Sequence, residues 1–448
     1  MIRFAAGDKS ASAAPPNMAP KDGSWWHVTF GKRNTMSEQK ADPVIEVNPE
    51  NQWRLITPGS DSWPRSPRPN SNKKKYFMVT VDSHMSPPPT LFKDRIDKRF
   101  VDRLPRFEVR DGKKYIVQEG LPPARVAETR LEGEDELRTK AGAYLIHDPM
   151  TIEERHRNLD LDGVDGEIIF PNGAALLMFT SRDAEFLMAQ ARVWNDWLWQ
   201  ECAPYKHRTK AIAAIPTVDI DMAVAEVQRV AKMGYDIIML PNKPVFGPPE
   251  LGQPNYNLPE YDRLWAAIQD ADLAITFHVS TGQDPRTASG NGGAILNFCI
   301  HSLGPTIEPV VALCASGVIE RFPGIRFATI EANGGWAPWL LDRMDEAYRT
   351  HHFWVRPKLK NLPSEYYRAN GAASVGEDRA ALMLADAYGL ENNFMWANDY
   401  PHHEGTWPHS AESIERTCAT LKEESRAKIL GLNAARFFKF DIPKHYLD

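Results

Sequence analysis

The sequence has few cysteines and no long uninterrupted apolar run. Its 448 residues include only Cys202, Cys299, Cys314 and Cys418, none with CxxC spacing. Each lies in a stretch with a helical pattern, so we expect buried thiols rather than disulfides or metal ligands, as suits a reducing cytoplasm. No run of about 18 apolar residues occurs, which predicts no transmembrane helix, and the N-terminus lacks the apolar core of a secretory signal.

The sequence also lacks an excess of positive charge. The formal net charge is −6, with 42% hydrophobic and 25% charged residues. Nucleic acid and anionic membrane surfaces attract basic proteins, so neither is expected as a partner. The composition indicates a mildly acidic, soluble protein with a large core.

Residues 1–75 show no sustained helical or strand period. They are rich in Pro, Ser, Asn and Lys and end in SPRPNSNKKK. We predict an extended, partly disordered arm, whose tryptophans Trp25, Trp26, Trp53 and Trp63 would attach it to the domain or to a neighbouring subunit, so that a homodimer is plausible. An ordered domain is predicted over 76–440, followed by a short tail, 441–448.

Short β-rich runs alternate with helical stretches from residue 76 onward. The eight runs are YFMVTVD (76–82), GEIIF (166–170), KAIAAI (210–215), YDIIML (235–240), LAITFH (273–278), IRFATIE (325–331), AASV (372–375) and NFMWAND (393–399). The predicted helices are 183–202, 221–234, 259–271, 305–321, 335–350 and 377–388. This α/β alternation predicts a distorted (β/α)₈ TIM barrel, with a doubly wound open sheet as the alternative. Residues 85–150 form a long insertion after the first strand, predicted to lie over the active-site face.

Polar residues stand at the ends of these runs, where barrels place their active sites. They are Asp82 and His84 after the first run, Glu167 at the start of the second, His278 after the fifth, Glu331 after the sixth, and Asp399 with His402 after the eighth. Residues two apart in a strand share a face, so Asp82 and His84 can offer a metal ion two ligands at once. Adding His278 and Asp399 gives a mixed nitrogen and oxygen site, suited to Zn²⁺, Mn²⁺ or Fe²⁺ rather than Ca²⁺.

Several stretches resemble the amidohydrolase superfamily, specifically the amidohydrolase-related family 2 branch. They are VDSHMSPPPTLF, DGVDGEIIFP, VWNDWL, YDRLWAAIQDADLAITFHVSTG, GVIERFPGIRFATIEANGGWAPWLLDRMD, FMWANDYPHHEGTWPHS and KILGLNAARFF, and together they span about four-fifths of the chain. Relatives in this branch include hydrolases and non-oxidative decarboxylases. The resemblance implies a metal-dependent barrel enzyme with one or two divalent ions.

The family's metal-binding motifs fall on Asp82, His84, His278 and Asp399. The first-strand motif is commonly His-x-His in the superfamily, and a carboxylate in its first position occurs in the decarboxylase-like branch. The sixth strand departs from the pattern, because many relatives carry a histidine where this chain has Glu331.

Glu331 is predicted either to act as general acid or base or to bind a second metal ion, although it could instead hold an arginine or a backbone amide. Further candidate ligands for a second ion are Glu167, His301 and His402. Trp407, in the loop after the last strand, is predicted to form part of the pocket wall.

The resemblance implies hydrolysis or non-oxidative decarboxylation of a small substrate, and we expect an aromatic or carboxylated one. In the hydrolytic version Asp399 would accept the proton of the attacking water, and Glu331 would exchange a proton with the leaving group. Two alternatives stay open at this point: a non-heme iron oxygenase on the same barrel, with one iron or two, and a non-catalytic binding subunit.

Overall fold

The computed structural model describes residues 76–125, 150–247, 252–282, 288, 290–402 and 405–446. The arm predicted for 1–75 lies outside these residues. So do residues 126–149 of the insertion and the last two residues of the predicted tail.

Eight parallel strands form the central sheet, in the order β1-β5-β6-β7-β8-β9-β10-β11. In chain order the strands are β1 (Val79–Met85), β2 (Arg106–Arg110), β3 (Lys113–Val117), β4 (Ala124–Arg125), β5 (Gly166–Pro171), β6 (Thr209–Ala214), β7 (Ile237–Leu240), β8 (Ala274–His278), β9 (Arg326–Ile330), β10 (Gly371–Val375) and β11 (Phe394–Trp396). Each sheet strand overlaps one of the eight predicted runs. These runs are apolar because both faces of a parallel sheet are covered.

The barrel closes between β1 and β11 through very few contacts. The His84 amide donates to the Tyr400 carbonyl at 2.7 Å, and Ser83 and Tyr400 form an isolated parallel bridge. Below them the amide of Asn398 donates to Thr80 Oγ1 at 3.0 Å. The (β/α)₈ prediction is therefore confirmed over the open-sheet alternative.

Helices cover the outside of the barrel. They are α1 (Leu91–Arg95), α2 (Ile152–Asp162), α3 (Ala184–Cys202), α4 (Ile220–Met233), α5 (Asp262–Asp270), α6 (Gly293–Leu296), α7 (Leu303–Ala315), α8 (Val318–Arg321), α9 (Ala337–Thr350), α10 (Pro363–Asn370), α11 (Arg379–Tyr388), α12 (Ser410–Thr417), α13 (Glu423–Ala427) and α14 (Asn433–Phe438). Helix α4 illustrates why they form: Asp219 caps its first turn by accepting from the Met222 amide, and Gly234 ends it at φ 107°.

Helix α2 was not among the predicted helices. Its signals are a capping box, in which Thr151 and Glu154 satisfy each other's backbone amides, and Gly163 in the left-handed conformation at its end. Its sequence is so polar that it lacks the apolar stripe by which the other helices were predicted. The structure nevertheless buries Arg155, Asn158 and Asp162.

The described part of the insertion has structure of its own. It contains helix α1 and a small antiparallel sheet in the order β2-β3-β4. Whether the insertion lies over the active-site face, as predicted, depends also on residues 126–149, so that placement stays a prediction.

One prediction from the apolar pattern needs correction. Cys202, Cys314 and Cys418 are buried free thiols as expected, but Cys299 is free and exposed. Among the described residues one helical segment, Asn297–Ala315, is long and apolar enough by length and composition to cross a membrane, and 44% of its most apolar stretch is buried in the protein. His301 and Glu308 interrupt its apolar run, and a single helix of this kind is weak evidence of a membrane span.

The entry to β1 packs directly against a glycine. A Cβ on Gly431 would lie 2.0 Å from the Phe77 carbonyl oxygen, whereas a Cβ on Gly304 in α7 would meet nothing within 4 Å. We expect Gly431→Ala to destabilise the protein by about 1–3 kcal/mol, since backbone must move. Gly304→Ala should be neutral or stabilising by up to about 1 kcal/mol. Urea unfolding measures both, and equal effects would contradict the close packing.

Candidate metal centre

Four side chains from three strand ends converge inside the mouth of the barrel. Asp82 and His84 project from β1, His278 ends β8, and Asp399 lies three residues beyond the end of β11. His84 Nε2 lies 3.4 Å from Asp82 Oδ1 and 3.3 Å from Asp399 Oδ1, and His278 Nε2 lies 3.4 Å from Asp82 Oδ1. Donor atoms that share one transition-metal ion at about 2.1 Å have spacings of roughly this size.

Hydrogen bonds orient both imidazoles toward the centre. His84 Nδ1 is 3.0 Å from the Pro171 carbonyl, and His278 Nδ1 is 2.9 Å from the Val279 carbonyl. A carbonyl only accepts, so each Nδ1 carries the proton, and in the neutral ring Nε2 keeps a free lone pair. This arrangement is common among metal-binding histidines.

The donor atoms themselves have no hydrogen-bond partner. Asp82 Oδ1, His84 Nε2, His278 Nε2 and Asp399 Oδ1 are all buried and unsatisfied. Buried polar atoms are normally paired, because leaving one unpaired costs about 1–3 kcal/mol. Spacings of 3.3–3.4 Å link these atoms in series from Asp399 through His84 and Asp82 to His278, which fits a bound divalent cation. Two nitrogen with two oxygen donors suit Zn²⁺, Mn²⁺ or Fe²⁺.

Glu331 joins this cluster from the end of β9. Its Oε2 lies 3.4 Å from His278 Nε2 and 3.9 Å from His84 Nε2. Its backbone is in the left-handed region at φ 57°, and its amide donates to Ser374 Oγ at 2.8 Å. Burial raises the pKa of Glu331 to about 7, opposed by the charge of His278 and aided by Asp82 and Asp399.

His402 lies against the other side of the centre. Its Nδ1 is 3.1 Å from Asp399 Oδ2, its Nε2 is 3.1 Å from Asn172 Oδ1, and its ring stacks on His84 at 4.1 Å. Asp399, like Glu331, has a left-handed backbone, at φ 50°. Strained conformations of this kind cluster at functional sites, where the surrounding structure holds them.

The carboxylates and imidazoles change one another's acidity. Burial alone would lower the pKa of His84, but the nearby carboxylates of Asp399 and Asp82 outweigh it and raise that pKa well above its usual value. Burial would also lower the pKa of His278, but the carboxylate of Asp82 outweighs this effect and raises that pKa. Burial would raise the pKa of Asp82, but His278 and His84 lower it below its usual range.

Two predicted ligands lie outside the cluster. Glu167 is buried beneath it, with Oε2 2.6 Å from Arg155 Nη2, so its charge is already balanced. Burial would raise the pKa of Glu167, but the charge of Arg155 lowers it. His301 sits in a π-helical turn, with Nδ1 3.1 Å from Asn297 Oδ1. The described chain has two groups of side chains that could hold a metal ion, and His301 belongs to neither; they are Asp82, His84, His278 and Glu331, and His84, Asp399 and His402.

Trp407 does not form part of the pocket wall as predicted. It is buried at the closure of the barrel, where its Nε1 donates to the Asn158 carbonyl at 2.9 Å and its ring meets Tyr400 edge-on at 5.5 Å. Asn172, two residues beyond the second predicted run, contacts His402 at the site. Sequence reasoning missed Arg155 as a neighbour of the site, and its only local signal was the capping box at the start of α2.

A cavity of about 730 Å³ lies beside Asn172, whose Oδ1 contacts His402 Nε2 at 3.1 Å. None of the four donors lines it, and Asn172 stands between it and His402. Its wall is formed by Ser86, Pro87, Pro88, Pro89, Phe92, Lys93, Val101, Asp102, Leu104, Pro105, Arg106, Asn172, Gly173, Ala175, Met178 and Gln190. The wall is largely apolar, and the volume is typical of small-molecule sites.

The family model described as amidohydrolase matches residues 81–440. The chain belongs to the amidohydrolase family. It is 26% identical over 302 residues to a gamma-resorcylate decarboxylase of Rhodococcus jostii, covering 64% of this chain and 87% of that protein. The fold is similar to that of 5-carboxyvanillate decarboxylase from Sphingomonas paucimobilis (TM-score 0.56, 22% identity, 81% and 99% of the two chains covered).

A dihydroxybenzoic acid decarboxylase from Polaromonas, solved with bound manganese and the inhibitor 2-nitroresorcinol, is also similar to this amidohydrolase (TM-score 0.54, 18% identity, 82% and 98% covered). The predictions of a metal-dependent hydrolase or carboxy-lyase and of a divalent metal cofactor are thereby confirmed. The cytoplasmic location and the homodimer stay predictions.

We expect Mn²⁺ binding to release protons and to weaken as the pH falls. A metal ion binds the deprotonated imidazole. Without a metal ion, the neighbouring carboxylates raise the pKa of His84 and His278 and so favour the protonated imidazole. Protons therefore compete below that raised pKa, and one displaced proton lowers the affinity about tenfold per pH unit.

Calorimetric titration in buffers of different ionisation enthalpy measures the protons released. Asp399→Asn, which removes one donor, serves as the control and should bind Mn²⁺ weakly at every pH. An affinity for the wild-type protein that does not change between pH 6 and 8 would contradict this account of the site.

Proposed function

We propose that this amidohydrolase catalyses the non-oxidative decarboxylation of a small aromatic carboxylate. Asp82, His84, His278 and Asp399 would hold one divalent metal ion. The observation that carries the proposal is the set of four buried, unpaired donor atoms, of which successive pairs lie 3.3–3.4 Å apart. The curated relatives are decarboxylases of an aromatic acid, gamma-resorcylate, which supports the choice of reaction over hydrolysis.

A bound divalent cation supplies positive charge to hold the carboxylate of the substrate and to offset negative charge that develops during the reaction. The chain's own residues restrict where that carboxylate can lie. Asp82 is buried on the floor of the centre, while Glu331 is 22% exposed and Asp399 15% exposed. The exposed side of the cluster is therefore where we place the substrate.

Decarboxylation breaks the bond between the ring carbon and the carboxylate and leaves its electron pair on the ring. The ring carbon must gain one proton as carbon dioxide departs. We assign that proton to Glu331, whose pKa of about 7 allows it to hold a proton near neutral pH and to recover one from solvent after each turnover. The resemblance to the superfamily implies a histidine at this position, and the raised pKa makes Glu331 a chemically reasonable replacement.

The apolar cavity beside His402 supports an aromatic substrate. Phe92, Val101, Leu104 and Met178 offer surfaces for a ring, and about 730 Å³ is ample for a substituted benzoate. The carboxylate of such a substrate would extend past Asn172 toward the metal.

The direct test is to incubate the manganese-loaded enzyme with gamma-resorcylate and with 5-carboxyvanillate. We expect carbon dioxide and the decarboxylated ring product in equal amounts, with no oxygen consumed. Asp399→Asn should be inactive in the same assay. Oxygen consumption dependent on substrate would indicate an oxygenase instead, and ester or amide cleavage without carbon dioxide release would indicate a hydrolase.

Replacing the proposed proton donor tests its role separately. Glu331→Gln should retain Mn²⁺ but lower kcat by about 10²–10⁴-fold, because the amide cannot transfer the proton. The wild-type kcat should also fall with rising pH as Glu331 loses its proton, and this limb of the profile should be absent in the variant.

The matched control is Glu346→Gln in α9, an exposed glutamate paired only with Arg343 among the described residues. It should leave kcat and its pH profile unchanged. If Glu331→Gln instead abolished Mn²⁺ binding, Glu331 would be a metal ligand and not the proton donor.

A further inference from the structure

Helix α2 contacts both sides of the closure between β1 and β11. Three of the four proposed metal ligands lie on these two strands or directly after them. His84 and Asp82 lie on β1 and Asp399 follows β11, yet His84 and Tyr400 share only one backbone hydrogen bond at the closure. A contact this sparse leaves the relative position of the ligands poorly restrained by the sheet itself.

The buried face of α2 supplies the missing contacts. Arg155, Asn158 and Asp162 follow one another at spacings of three and four, so they share one side of the helix. Asn158 Nδ2 donates to the Tyr400 hydroxyl at 2.7 Å. Asp162 accepts from the Ser410 amide at 3.0 Å, at the first residue of α12, which follows the loop that carries Asp399.

Arg155 makes the most direct connection to the site. Its Nη1 donates to the His84 carbonyl at 2.6 Å, and its Nη2 donates to Ser83 Oγ at 3.1 Å and to Glu167 Oε2 at 2.6 Å. Its guanidinium carbon lies 4.9 Å above the ring of Tyr400, the residue after Asp399. One fully buried side chain therefore contacts both sides of the closure.

We propose that Arg155 is a positioning residue for the metal centre, holding His84 and Asp399 at their mutual distance through the His84 carbonyl and the Tyr400 ring. Glu167 balances the charge of Arg155. This predicted metal ligand is therefore already paired and lies outside the metal site. The planar guanidinium serves all these partners at once, which a lysine ammonium cannot do with the same geometry. The inference rests on the proposed metal site.

Arg155→Lys is the decisive variant. It keeps the buried positive charge beside Glu167 but loses the planar guanidinium that donates to several partners at once. We expect its dissociation constant for Mn²⁺ to rise by about 10–100-fold, the usual effect of losing a group that orients metal ligands. The paramagnetic resonance spectrum of the bound Mn²⁺ should also change, since the ligand geometry changes. A role in stability alone would move neither quantity.

Arg229→Lys is the matched control. Arg229 pairs with the buried carboxylate of Glu226 on α4, at 2.7 Å, and contacts none of the proposed ligands. It should lower the unfolding midpoint without changing Mn²⁺ affinity. If Arg155→Lys behaved in the same way, the positioning role would be refuted.

A second variant keeps the test open if Arg155→Lys fails to fold. The pair Arg155→Met with Glu167→Met removes both buried charges together, a change that folded proteins often tolerate. It should show the same loss of Mn²⁺ affinity, and wild-type affinity in this double variant would overturn the inference. Absence of Mn²⁺ binding by the wild-type protein would instead refute the proposed metal site itself.

Discussion

Asp82, His84, His278 and Asp399 each keep one buried atom unpaired within the same small space. Protein interiors rarely leave polar atoms in this state, because the free-energy cost of removing a polar atom from water is offset only when that atom gains a partner. The other features of the barrel mouth maintain this arrangement. Carbonyls of Pro171 and Val279 orient the imidazoles, and left-handed backbones place Asp399 and Glu331 beside them.

The carboxylates at this site form two sets with different partners, which we call the upper and the lower level. At the upper level Asp82, Asp399 and Glu331 face the imidazoles, a set that calls for a cation. At the lower level the buried carboxylate of Glu167 meets the buried guanidinium of Arg155. Without that second pairing, a further carboxylate would add to the repulsion at the centre and raise the cost of burying it.

Glu331 stands where the resemblance to the amidohydrolase superfamily implies a histidine. A histidine is partly protonated near neutral pH, whereas an ordinary glutamate is almost fully ionised. Burial and the neighbouring carboxylates bring the pKa of Glu331 to about 7. Under the proposed function, the surroundings of this carboxylate would give it the proton-transfer capacity of an imidazole.

The sequence by itself was enough to place the eight strands and the four proposed donors. Strands buried on both faces must be apolar throughout, and parallel strands present their final residues at one end, so Asp82, His84, His278 and Asp399 had to be neighbours once the barrel was assumed. Only the tertiary structure decided how the remaining polar residues pair. Glu167 and Glu331 both border apolar runs, yet one meets Arg155 and the other meets His278. Local pattern cannot choose between such partners, because they come from distant segments and the choice depends on how the barrel closes.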